Sequence, residues 1–425
     1  MQQNFYTERL MKQTKASFYL KITSLFIISL STLNSAKTEF SLGLENIPDE
    51  FIEKIKHARI GLITNQTGKD QSGNRNIDIL RAKHLNLTAI LVPEHGLDGT
   101  IPAGQEVLNT VDKKTGIPIV SLYKEETRGK DITKDILKDL DVLIFDIQDS
   151  GTRHYTYVST MFDTLKAAGK FGISYIILDR PNPLGHLMEG PLVDATLHSF
   201  VSIAPIPLRH AMTIGELGWF FNKHLIEKQA KLHVIKMNGY NRTYGLKDTP
   251  FTMLSPNIAS LKSCHGYSFL GLLSAMNPVD VGLTTDQAFQ IILLPERISL
   301  SKAQWKELRR ILKKYDIQSA PYKRYHSKNK ETYTGLKLKI SNINNVHSFM
   351  LSLDIMDFFK KAQLQCSFAP IFDKLTGTKA VRLYLQGTMN RKILTHKINT
   401  NLKAFLTKVK PLLMYDPIPQ PVFMS

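Results

Sequence analysis

Between residues 59 and 178 short apolar runs recur with amphipathic segments between them, and this alternation constrains the fold more than any other feature. Arg59–Thr64, Leu87–Val92, Ile117–Leu122, Asp141–Ile147 and Ser174–Leu178 read as strands. Their apolar residues are contiguous, which is the pattern of a strand buried on both faces of a parallel sheet. Helices are expected near Asn76–Lys83, over Ile132–Leu140 and over Val158–Ala168. They supply the crossovers that parallel strands require. Thr213–Ile226 and Leu232–Met237 add one more helix and strand. The expected fold class is α/β: a Rossmann-like parallel-sheet N-terminal domain, then a second, smaller α/β C-terminal domain.

Beyond residue 250 the sequence reads as loop through Asn257, His265 and Pro278. A second α/β unit follows, with strands at Phe289–Leu294, Gly335–Ile340 and Val381–Leu385. Its helices are expected at Lys302–Tyr315, Asn345–Lys361 and Lys392–Val409. No low-complexity linker separates the halves, so domains 37–280 and 281–425 are expected to pack together.

The start of the chain has a different texture. Lys12, Lys15 and Lys21 precede an apolar run from Ile22 to Leu33 and then Asn34-Ser35-Ala36. That is the layout of a secretory signal peptide. Residues 1–36 are therefore expected to direct export to the periplasm or out of the cell, and no later stretch is long and apolar enough to span a bilayer. The formal charge of +18 becomes +15 without Glu8, Arg9, Lys12, Lys15 and Lys21. A basic exported protein is drawn to polyanions. The lysines are spread along the chain with no nucleic-acid motif beside them, so nucleic acid is not an expected partner. Cys264 and Cys366 are the only cysteines, enough for one bridge but not for a closed zinc site.

Ligands of open parallel sheets bind outside the carboxyl ends of the strands. Three of the expected strands run into polar segments there: Pro93-Glu94-His95-Gly96, Asp146 through Tyr157, and Asp179-Arg180-Pro181-Asn182-Pro183 with Glu189-Gly190-Pro191 shortly after. One rim thus gathers carboxylates, arginines and tyrosines, which suits a polar, hydroxyl-rich ligand. The bland reading is that such carboxylates cap the helices that follow. There is no Gly-x-Ser-x-Gly elbow, His-Glu-x-x-His helix, P-loop or dinucleotide fingerprint. No metal or cofactor is called for, although Glu94, His95 and Asp149 are residue types that hold metals.

The same segments resemble a known bacterial family. Gly61 through Gly68, Pro93 to Gly96, Asp146 through Tyr157, Asp179 to Pro183 and Glu189 to Pro191 match its signatures. So do His210 through Leu217, Ser255-Pro256-Asn257 and Phe372 through Gly377. The chain is similar to the exo-β-N-acetylmuramidases. The resemblance implies a cleft between the two domains and removal of N-acetylmuramic acid from the non-reducing ends of peptidoglycan-derived glycans. One segment departs: where the family usually carries Glu-Gly-Thr-Asn and a Gly- and Arg-containing loop, this chain reads Ser274-Ala275-Met276-Asn277 and then Pro278 through Thr285. Substrate contacts from that loop are expected to be altered. A non-catalytic wall-glycan binding protein is the alternative this departure favours.

Glycoside cleavage usually needs a proton donor and a second carboxylate. Glu94 is the expected acid, and Asp149, Asp146 and Glu189 are candidates for the second role, with the sugar's acetamido group as a substitute. Arg153 and Arg180 suit a lactyl carboxylate, because guanidinium binds carboxylate in a fork. Tyr155 and Tyr157 suit a sugar face or its hydroxyls, and His95 and His210 would orient these groups. Asp179, Asn182, Asn257 and Asn277 complete the expected binding set.

Overall fold

The computed structural model describes residues 39–124, 132–246, 249–298, 300–327 and 329–424; the expected export signal lies outside them. The apolar runs form strands β1 (Ile60–Thr64), β2 (Leu87–Val92), β4 (Pro118–Ser121), β5 (Val142–Asp146), β6 (Ser174–Leu178) and β7 (Leu232–Ile235), with a two-residue strand β3 (Thr110–Val111) before β4. The sheet order is β3-β4-β2-β1-β5-β6-β7. All pairings are parallel except β3 with β4, so the expected parallel sheet is a mixed one with a single antiparallel edge. Numbered among themselves, the six parallel strands run 3-2-1-4-5-6, the doubly wound order, and the order reverses between β1 and β5.

Strand periodicity explains why contiguous apolar runs are needed. Ile60, Leu62, Ile90, Val92, Val142 and Ile144 face one layer, with Ile77 and Leu80 of helix Asn76–Ala82. Ile63, Leu91, Leu143 and Phe145 face the other, with Val158, Met161 and Leu165 of helix Tyr157–Phe171 and Phe220 and Phe221 of helix Ile214–His224. Alternate side chains point to opposite faces, and here both faces are covered. The helix expected over 132–140 is one turn, Lys134–Leu137.

The smaller C-terminal half holds an antiparallel sheet of β8 (Ile291–Pro295), β9 (Ile317–His326) and β10 (Glu331–Ile340), in the order β8-β10-β9. Helices Lys302–Lys314, Ser348–Lys361 and Arg391–Val409 accompany it. Residues from Phe40 onward form one compact unit.

Two expectations fail here. Val381–Leu385 is not a strand but part of helix Ala380–Leu385, whose Val381, Tyr384 and Leu385 are buried at helical spacing. The segment read as loop contains helix Leu261–Leu273, capped by Ser260, which accepts from Ser263 N. Its burial is nearly all round, with Cys264, Ser268, Phe269, Leu272 and Leu273 all enclosed. A helix wrapped on every side shows no amphipathic stripe to read.

Candidate active site

The reversal point of the sheet lies between the ends of β1 and β5, and the two ends are tied together. Thr64 Oγ1 donates to Asp146 O at 3.1 Å, and Gln148 N donates to Thr67 Oγ1 at 2.9 Å. Just beyond β2 the chain turns at His95, whose φ of 74° is left-handed, a costly conformation for a residue with a side chain. The His95 Nδ1–H donates to Ile101 O at 2.6 Å and holds the turn. Glu94 is thereby aimed back over the rim. Its Oε1 accepts from Gly104 N at 2.9 Å, and its Oε2 from Thr156 Oγ1 at 2.7 Å. Glu94 is 7% exposed, held against the loop that carries Gly104. That loop fits closely, for a Cβ at Gly99 would meet the Gln66 amide at 2.2 Å.

Asp149 sits at the same reversal point. Its Oδ2 accepts from Gly151 N at 2.8 Å and from His210 Nε2 at 3.1 Å. His210 Nδ1 accepts from Met212 N, so the ring proton is on Nε2 and faces Asp149. Asp149 Oδ1 and Asn65 Nδ2 are buried without a hydrogen-bond partner. Polar atoms in that state are uncommon, and a site with donors and acceptors left over is one that a hydroxyl-bearing ligand can satisfy. Tyr267 completes the group. Burial, and then the charges of Glu94 and Asp149, hold its phenol above the usual value of 10, so it stays neutral. Its helix does not announce itself in the sequence, and no motif there singles out Tyr267.

Several expected site residues are structural instead. Arg153 is fully buried and donates to Pro191 O, Ile206 O and Leu375 O; it has no room for a lactyl group. Tyr155 and Tyr157 both donate to Leu254 O, at 2.8 and 3.2 Å, with their rings enclosed, so they brace the main chain rather than offer a sugar platform. Glu189 binds Arg209, Ser348 N and Phe349 N, the last two opening helix Ser348–Lys361. Asn182 closes its own turn, accepting from Leu184 N and donating to Met212 O. Asp146 accepts from Asn76 Nδ2 and pairs with Arg180 Nε at 2.6 Å. Arg180 also donates to Lys69 O at 3.0 Å, so two of its nitrogens are already engaged.

Asp179 caps helix Ile214–His224 through Gly215 N and Thr213 Oγ1, and also accepts from Tyr415. Burial and the neighbouring Glu216 charge push it up to about 6. The native state then holds this proton more tightly than the unfolded chain, so the stability it contributes is full at low pH and falls as pH rises from about 4 to about 6. Asp179→Asn is expected to flatten that slope, read as the difference between urea midpoints at pH 4.5 and 6.5; an unchanged slope would assign it to another group.

Asn277 borders a larger space, and Asn257 is bonded to the loop that lines it. Asn257 Oδ1 accepts from Thr284 N at 2.8 Å, which ties the segment after Leu254 to the divergent loop. That loop lines a cavity of about 810 Å³ with Ser274, Asn277, Asp280, Arg297 and Arg324. Arg324, on β9, donates to Asp280 Oδ2 at 2.6 Å, while its Nε is buried without a partner. Nothing in the sequence marked Arg324, because the strand that carries it is mostly polar. Cys264 and Cys366 are free thiols. Among the described residues no cluster of three His, Cys, Asp or Glu side chains suits a metal, and no helix is long and apolar enough to cross a membrane.

The family description exo-beta-N-acetylmuramidase NamZ, N-terminal, matches residues 60–262, and its C-terminal counterpart matches residues 265–415. The peptidoglycan beta-N-acetylmuramidase NamZ of Bacillus subtilis is 33% identical over 390 residues, covering 89% of this chain and 92% of that protein. Two crystal structures of DUF1343 family proteins from Bacteroides fragilis superpose with TM-scores of 0.79 and 0.67. Each is 27% identical, and each match covers 89% of this chain and 99% of the other. With both halves matched in order around the rim that carries Glu94, the chain belongs to the NamZ family of exo-β-N-acetylmuramidases, which are glycosidases.

Proposed function

We propose that this glycosidase, exported through residues 1–36, releases N-acetylmuramic acid from the non-reducing ends of peptidoglycan fragments, with Glu94 as the proton donor. The observation that carries this reading is the rim itself: Glu94 in a shielded turn, with the unsatisfied Asp149 Oδ1 and Asn65 Nδ2 at the adjoining strand ends. In the reaction the bond from the anomeric carbon to the leaving oxygen breaks and that oxygen takes the Glu94 proton. Water supplies the hydroxyl that ends on the anomeric carbon. Asp149, oriented by His210, is the carboxylate placed to assist at that carbon or to take the water's proton. Gly104 N and Thr156 Oγ1 position the Glu94 carboxyl group, which recovers its proton, from the attacking water or through solvent, before the next cleavage. Incubation with the disaccharide of N-acetylmuramic acid linked to N-acetylglucosamine should yield both free sugars. Binding without release would defeat the proposal in favour of a glycan-binding protein.

Recognition of the lactyl carboxylate falls to Arg324 in this reading, since Arg153 is enclosed and Arg180 is held by Asp146 and Lys69 O. A guanidinium held by Asp280 at one terminal nitrogen, on the wall of the cavity of about 810 Å³, can still take a carboxylate oxygen. Arg324→Gln is expected to lower kcat/KM on a chromogenic N-acetylmuramide about tenfold or more, and on the matching N-acetylglucosaminide little, a charged hydrogen bond being worth roughly 1.5–3 kcal/mol. Equal losses on both substrates would remove the assignment.

A further inference from the structure

Helix Lys302–Lys314 has two faces of different electrostatic character. On one, Glu307 pairs with Arg310 at 2.7 Å and Lys314 reaches Asp354 at 3.2 Å. The other carries Lys302, Trp305, Lys306 and Arg309, at spacings of three, four and seven residues, which place them in one stripe. This stripe forms one wall of a groove of about 480 Å³. Pro321, Tyr322 and Lys323 of β9 form the facing wall. No acidic side chain lines the groove. Among the described residues, Lys302, Lys306 and Arg309 take part in no ion pair, whereas Lys323 pairs with Glu296 at 3.0 Å. Trp305 is half-buried against the core, so its ring is fixed.

We propose that this groove is a second binding site, separate from the Glu94 rim, and that it takes an acidic wall glycan. The cations match the carboxylates that such a strand carries on its peptide stems, and on muramic acids that bear no stem. The fixed indole of Trp305 offers an apolar face against which a sugar ring packs, which a purely electrostatic patch would not need. Tethering a long strand here raises its effective concentration at the cleft, so the site serves polymeric substrate and leaves small substrates unaffected. The choice of glycan rests on the function proposed above.

The test is co-sedimentation with purified sacculi in a Glu94→Gln background, so that the ligand is not consumed. The double variant Lys306→Glu/Arg309→Glu should lose about tenfold or more in affinity at roughly physiological salt, where exposed charges still act over about 8 Å. Trp305→Leu, which keeps an apolar side chain against the core, should also weaken binding. With Glu94 intact, the charge-reversed protein should turn over a chromogenic N-acetylmuramide within about twofold of the parent, the readout that separates tethering from catalysis. Unchanged sedimentation of the double variant would overturn the site. Equal binding of sacculi whose carboxylates have been amidated would overturn the acidic ligand. Tighter binding to phosphatidylglycerol vesicles or single-stranded DNA than to sacculi would overturn the glycan. If the disaccharide is not cleaved yet the variants lose sacculus binding as described, the groove stands and the hydrolase reading fails.

Discussion

Glu94→Gln should lower kcat on the muramic acid disaccharide by about a thousandfold, the range expected when a positioned general acid is removed, while leaving the fold intact. The reason for both halves of this expectation is local. A glutamine keeps one oxygen to accept from Gly104 N, and its amide can donate to Thr156 Oγ1, whose hydroxyl rotates to receive it. The turn at His95 is held by its own bond to Ile101 O and does not depend on the carboxylate. What is lost is the transferable proton. Thermal melts should therefore superpose while turnover collapses. Activity within a few-fold of the parent would show that another group protonates the leaving oxygen.

The parallel core is legible in the sequence because burial on both faces demands contiguous apolar residues. Leu87–Val92 and Ser174–Leu178 are strands over the same residues as expected. The convergence of Glu94 and Asp149 on one rim follows from strand direction alone. Two kinds of information are not legible. Helix Leu261–Leu273 is buried nearly all round, so its pattern carries little period, and Tyr267 is hidden with it. The second is the difference between a working carboxylate and a structural one. Asp149 and Glu189 are the same chemistry near the same rim. What separates them is that Glu189 meets the N–H groups of Ser348 and Phe349, 159 and 160 residues later in the chain. Arg153 is the same case: its partners include Leu375 O, 222 residues away. Only the packing of the second half on the first decides these roles.

That packing makes Glu189 the position where the two readings differ most in consequence. Its carboxylate pairs with Arg209 at 3.0 Å, with both side chains essentially unexposed. Arg209 also donates to Val346 O, Ile343 O and Leu184 O, so it ties the second half to the first. Glu189→Ala leaves a buried guanidinium with no counter-charge and two N–H groups at the start of helix Ser348–Lys361 without an acceptor. Breaking a buried pair on one side costs about 3–5 kcal/mol, so a large fall in the urea midpoint is expected. The catalytic reading of Glu189 predicts the opposite pattern, a protein as stable as the parent and inactive. At a temperature where circular dichroism shows the variant folded, its kcat/KM per folded molecule should stay within a few-fold of the parent. A stable, inactive Glu189→Ala protein would return Glu189 to the list of candidate nucleophiles and bases.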